Sequence, residues 1–147
     1  MQPFPHTIIL RHRKENLKKC SLRGIEHRDD MLFFTYPWKE PQPSLENYVV
    51  LRPDAEELTR DDADKGIFII DGTWRLAEKM LQSLEGTLSF RSIPNAKTAY
   101  PRCQKVQDGL ASIEALYLAY SILGRDPKGL LDHYYWEDQF LQNSANI

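Results

Sequence analysis

Short apolar, β-branched runs recur along this chain, and each stops at a proline or a polar residue. Residues 7–10, 31–35, 48–51, 67–70 and 88–93 have this form, which predicts five strands. Pro37, Pro53 and Pro94 close three of them, because proline donates nothing to a central ladder. Helical spacing fills the gaps, with a short helix at 55–58 and a firmer one over 73–84 that closes before Gly86. A last helix is expected over 127–142, with Pro127 in its first turn. The strongest helical pattern covers 110–123, is apolar around most of its circumference and stops at Gly124. That predicts a buried helix with a glycine C-cap. Strands alternating with helices predict an α/β domain with a largely parallel sheet. No repeat or linker divides residues 1–147, so a single domain is expected.

One junction stands out. The run Ile67-Phe68-Ile69-Ile70 ends in Asp71-Gly72-Thr73-Trp74, and the pattern of the next helix follows at once. In open α/β sheets, ligands sit outside the carboxyl ends of strands, which is where Asp71 and Trp74 would lie. Either Asp71 or Thr73 is also a competent helix cap, so this pattern alone leaves a capping role and a functional one open. Ser112 in the apolar helix suits back-bonding to a carbonyl. Glu114, two residues on, must cap, pair or line a polar cavity, since an unpaired buried carboxylate is costly.

Composition narrows the classes. With 147 residues, 41% hydrophobic and 27% charged, the chain suits one globular core. No apolar run approaches the roughly 18 residues that span a bilayer. Ile8-Ile9-Leu10 runs straight into Arg11-His12-Arg13-Lys14, unlike a secretory leader. Cys20 and Cys103 form no paired motif, and a reducing cytoplasmic setting is expected. The glycines form no GxGxxG or GK[ST] loop, and no GxSxG elbow is present, which disfavours dinucleotide, P-loop and α/β-hydrolase chemistry. The four histidines lack zinc spacing, so no metal is expected. Asp61, Asp62 and Asp64 read as a solvated loop.

Charge is uneven despite a net −2. Residues 11–28 and 91–105 are basic, while 54–64 is acidic. Two basic segments that meet in the fold make a surface for a phosphate backbone.

Read in order, several motifs resemble a known family. They are Lys18-Lys19-Cys20-Ser21, Leu51-Arg52-Pro53, Asp71-Gly72-Thr73-Trp74, Arg91-Ser92-Ile93-Pro94, the 110–116 stretch and Tyr135-Trp136-Glu137-Asp138-Gln139-Phe140. This order resembles the small-subunit rRNA aminocarboxypropyltransferases of ribosome biogenesis. These enzymes move the 3-amino-3-carboxypropyl (acp) group of S-adenosylmethionine (SAM) to a uridine-derived base. The related DTW-domain proteins, which place the same group on tRNA uridine, are similar in spelling at 71–74. Gly72 stands where the ribosomal family has cysteine, and Leu22 where it has glycine.

The resemblance implies a SPOUT-like sheet flanked by helices with a C-terminal trefoil knot, working as a monomer in the cytoplasm with SAM as donor. It implies Leu51, Pro53 and Ile93 around the adenine, Ser21 and Ser112 near the ribose or amino-acid part, and Trp74 beside the sulfonium. Asp71 would face the attacking nitrogen. For RNA, Lys18, Lys19, Arg91, Lys97 and Arg102 are the expected phosphate contacts, with Tyr100 stacking on a base. The same transfer onto tRNA uridine is the near rival, and a non-catalytic RNA-binding assembly factor and a methyltransferase are the rival readings from other classes.

Overall fold

The computed structural model describes residues 4–13, 22, 24–52, 55–72, 74–93, 112–132 and 141, with residues 74 and 75 described in backbone only. Five strands form one sheet: β1 (Thr7–His12), β2 (Met31–Tyr36), β3 (Tyr48–Leu51), β4 (Gly66–Asp71) and β5 (Ser89–Arg91). Their order is β2-β1-β4-β3-β5, and every neighbouring pair is parallel. The expected α/β class with a parallel sheet is what the chain adopts.

A parallel sheet is covered on both faces, so its central strands are apolar throughout rather than alternating. In β1 and β4 the alternate side chains enter two different cores. Ile9, Val49, Ile67 and Ile69 pack under α2 (Ser112–Leu123) with Ile113, Leu116, Ala119, Tyr120 and Leu123. Ile8, Leu10, Val50 and Phe68 pack on the opposite face against Met80, Leu76 and Leu81 of α1 (Trp74–Gln82).

Two glycines are set by close geometry. A Cβ at Gly66 would overlap the Tyr48 ring, whose hydroxyl donates to the His6 carbonyl at 2.7 Å. Gly124, at φ 75°, closes α2. There the Arg125 N–H donates to the Tyr120 carbonyl at 2.8 Å and the Gly124 N–H to that of Ser121 at 3.3 Å. This is a Schellman closure, as the glycine C-cap reading anticipated.

Two expected helices are corrected. Residues 55–58 are extended, not helical. Glu57 bridges in parallel to Ser92, Leu58 N–H donates to the Ser92 carbonyl, and Ser92 N–H to that of Glu56, both at 2.8 Å. A segment this short forms few internal helical bonds, so pairing beside β5 satisfies more of its backbone. The turn comes later, as a 3₁₀ helix (Arg60–Asp62) with a Thr59/Asp62 capping box. Residues 127–132 form turns rather than a helix start: Leu130 N–H donates to the Pro127 carbonyl, and Gly129 has φ 87°. Residues 133–140 and the remainder of the expected last helix, apart from 141, lie outside the described residues.

Among the described residues no helix is long and apolar enough to cross a membrane, and no cluster of His, Cys, Asp or Glu is placed to hold a metal.

Candidate active site at the carboxyl edge of the sheet

Because all five strands are parallel, their carboxyl ends share one edge of the sheet. Asp71, the last residue of β4, reaches that edge from the central strand and is only 2% exposed. Ser112, the first residue of α2, donates its hydroxyl to Asp71 Oδ1 at 3.0 Å. The hydroxyl therefore tethers Asp71 rather than back-bonding within its own helix. Two residues separated by 41 positions, both singled out from sequence, are thus brought into contact.

Arg11 completes the arrangement. It lies level with Asp71 in the β1–β4 register, and its Nε donates to Asp71 Oδ2 at 3.4 Å. Its Nη2 donates to Glu26 Oε2 at 3.3 Å, and its guanidinium carbon stands 4.8 Å from the centroid of the Phe33 ring. The sequence places Arg11 and Glu26 only as opposite charges within one basic segment and does not by itself show their pairing or the contact with Asp71. The available signal was the two-residue period of β1, which puts Arg11 on the face of Ile9. Using it required knowing that β1 lies beside β4.

Leu51 ends β3, and it and Ile93, both partly buried, pack against the core under α2, the core that also takes Ile67 and Ile69 of β4. Trp74 opens α1 three residues after Asp71. Arg91 closes β5, but its Nε is engaged with Asp62 Oδ2 at 3.1 Å, and it is a largely buried partner of an acid. Glu114 is fully buried in the first turn of α2. Ser21, Pro53, Lys18, Lys19, Lys97, Tyr100 and Arg102 lie outside the described residues.

Asp61 and Asp64 are exposed, as expected of a solvated loop, but Asp62 between them departs from that reading. It is buried and pairs with both Arg91 and Lys65. Burial pushes its carboxyl up, but Arg91, Lys65 and the Thr59 N–H outweigh that and hold it below the ordinary carboxylate range. Glu26 follows the same pattern: burial raises it, and its own N–H, the Gly24 N–H and Arg11 lower it further. Asp30 is raised by burial and lowered more by Arg28 and Tyr120. All three carboxyls are lower in the folded chain than in the unfolded one. Their stabilisation is complete above the unfolded values and lost as pH falls through the folded ones. Thermal melts are therefore expected to drop steeply below about pH 4. A melting temperature that stays flat from about pH 5 to about pH 3 would show that these pairs add nothing to stability.

No protein-family model and no curated protein matches this chain. Among solved structures, it is similar to the SAM-dependent rRNA:acp-transferase Tsr3 from Vulcanisaeta distributa. The TM-score is 0.73 at 18% identity, covering 98% of this chain and 80% of that one. The two share a fold. With so few identical positions the likeness speaks for the architecture. The site must be argued from this chain's own residues, and in the Tsr3-like sheet they converge at the end of β4.

Proposed function

We propose that this protein is a SAM-dependent RNA aminocarboxypropyltransferase acting on small-subunit rRNA. The observation that carries the reading is Asp71, buried at the carboxyl end of the central strand and held by Ser112, in a fold shared with an rRNA:acp-transferase. The residues suit the donor. A SAM cation asks for apolar walls around its adenine and a carboxylate near its charged end. Leu51 and Ile93 offer the first and Asp71 the second. Bound there, SAM supplies an acp carbon already activated by its sulfonium.

The chain's own task is then positioning. Asp71 faces the imide nitrogen of the target base, orienting its N–H and accepting the proton as the new N–C bond forms and the C–S bond breaks. Methylthioadenosine is the leaving group. Trp74, at the start of α1, walls off the methyl carbon of the same sulfur and attracts the cation, worth about 0.5–2 kcal/mol. Ser112 holds Asp71 and lies beside the amino-acid part of the donor. Ser21 and Pro53 complete the donor pocket. Lys18, Lys19, Lys97 and Arg102 supply phosphate contacts and Tyr100 a stacking face, while Arg91 is held by Asp62 instead. The reading extends to a single domain over 1–147, a SPOUT-type sheet with a C-terminal knot, and a metal-free monomer in the cytoplasm. The Asp71-Gly72-Thr73-Trp74 spelling favours tRNA as the second substrate to test.

Incubation with carboxyl-labelled SAM and separated rRNA and tRNA pools tests this. Label in small-subunit rRNA with release of methylthioadenosine is the expected outcome. Label in tRNA alone moves the substrate. Release of S-adenosylhomocysteine replaces acp transfer with methyl transfer, and SAM binding without labelled RNA leaves an assembly factor.

A further inference from the structure

Arg11 belongs to the basic stretch that suits phosphate contacts, yet the donors described above turn inward. Its Nε meets Asp71 and its Nη2 meets Glu26, while the guanidinium plane lies over Phe33. Glu26 is anchored in turn, taking the Gly24 N–H on its other oxygen at 2.8 Å. Arg11 is thus held by two carboxylates and a ring, and only 12% of its side chain is exposed. Asp71 receives a donor on each oxygen, Ser112 on Oδ1 and Arg11 on Oδ2. With both oxygens engaged, rotation of the carboxylate breaks at least one bond. A planar guanidinium imposes that geometry, whereas an ammonium supplies only a point charge. A reacting side chain held by a further oriented group is the general arrangement of activated sites.

We propose that Arg11, fixed by Glu26 and Phe33, is a positioning residue that sets the orientation of Asp71 and is not one of the RNA phosphate contacts. The inference rests on the acp-transfer reading for its kinetic consequence, but the geometric claim stands apart from it. It also ties the connection between β1 and β2, where Glu26 lies, to the reacting carboxylate at the end of β4.

The test is steady-state transfer by full-length Arg11→Gln and Arg11→Lys. Arg11→Gln is expected to lower kcat about 10–100-fold with KM for SAM within about threefold, because misplacement of a reacting group costs rate rather than donor affinity. Arg11→Lys should fall between it and the wild type. A folded Arg11→Gln with kcat within about twofold of wild type overturns the proposal, as does a rise in KM alone. If Arg11→Gln does not fold, Glu26→Gln takes its place. Its expected loss in kcat is about 3–10-fold, and an unchanged kcat overturns the proposal. If the wild type labels no RNA, acp transfer has failed and the geometry is read from crystal structures of wild type and Glu26→Gln. An Asp71 carboxylate swung away from Ser112 in the variant supports the positioning role, and an unmoved one refutes it.

Discussion

Asp71→Asn is expected to lower acp transfer about 100-fold or more, while SAM affinity falls far less, by about tenfold at most, for the carboxylate charge lost near the sulfonium. Asparagine keeps the size and shape of the side chain and leaves no cavity, although with Oδ1 on Ser112 its amide N–H faces the Arg11 Nε–H. It cannot take a proton, and it turns an N–H where the carboxylate accepted one. Asp71→Ala is the poorer test, because it leaves the Arg11 guanidinium facing an empty space in a site only 2% exposed at Asp71. Either variant removes one partner of a buried charge pair, which costs about 3–5 kcal/mol, and alanine adds a cavity to that, so folding has to be measured beside chemistry. Single-turnover transfer on small-subunit rRNA, with calorimetric SAM binding on the same preparation, separates the two. Unchanged turnover in a folded Asp71→Asn variant removes Asp71 from the chemistry.

Tyr120→Ala is expected to cost about 3–5 kcal/mol of folding stability. Tyr120→Phe should cost about 1–3 kcal/mol, since it removes only the hydroxyl. Tyr120 heads the fully buried side chains, at 1% exposure, in the core between α2 and the sheet. Its hydroxyl sits 2.9 Å from Thr7 Oγ1 and donates to Asp30 Oδ2 at 2.9 Å. Burial, above all, holds that phenol far above the ordinary tyrosine range, so it stays a neutral donor at any physiological pH. The ring also meets Phe4 edge-on, with centroids 6.4 Å apart. A domain of this kind has about 5–15 kcal/mol in all, so the alanine variant should be close to unfolded at 37 °C. Urea denaturation of both variants gives the comparison. Equal losses for Phe and Ala would mean that the hydrogen bonds, not the ring, hold this end of the sheet.

The strand-to-helix junction at Asp71 was legible because its signals are local. An apolar run, a polar stop and a new helical period all fall within a dozen residues. Gly124 as the cap of α2 was legible for the same reason, since a left-handed residue after an apolar helix is a nearest-neighbour matter. Residues 55–58 misled because their helical composition competed with a partner strand 35 residues away, and Glu57 pairs with Ser92 instead. Of the acids at 61, 62 and 64, only Asp62 misled likewise. Asp62 looks solvated until Arg91, 29 residues on, is folded against it.

By itself, then, the sequence determined the type of each strong element, the alternation that makes a parallel α/β sheet, and the address of a carboxylate at a strand end. These depend on side-chain period and on turn residues, which act within a few positions. Only the tertiary structure decided that β1 lies beside β4, which places Arg11 on Asp71 across 60 residues, and that α2 begins where Ser112 reaches the same carboxylate. Contacts of that span arise from how strands order and helices pack, and no local pattern encodes them.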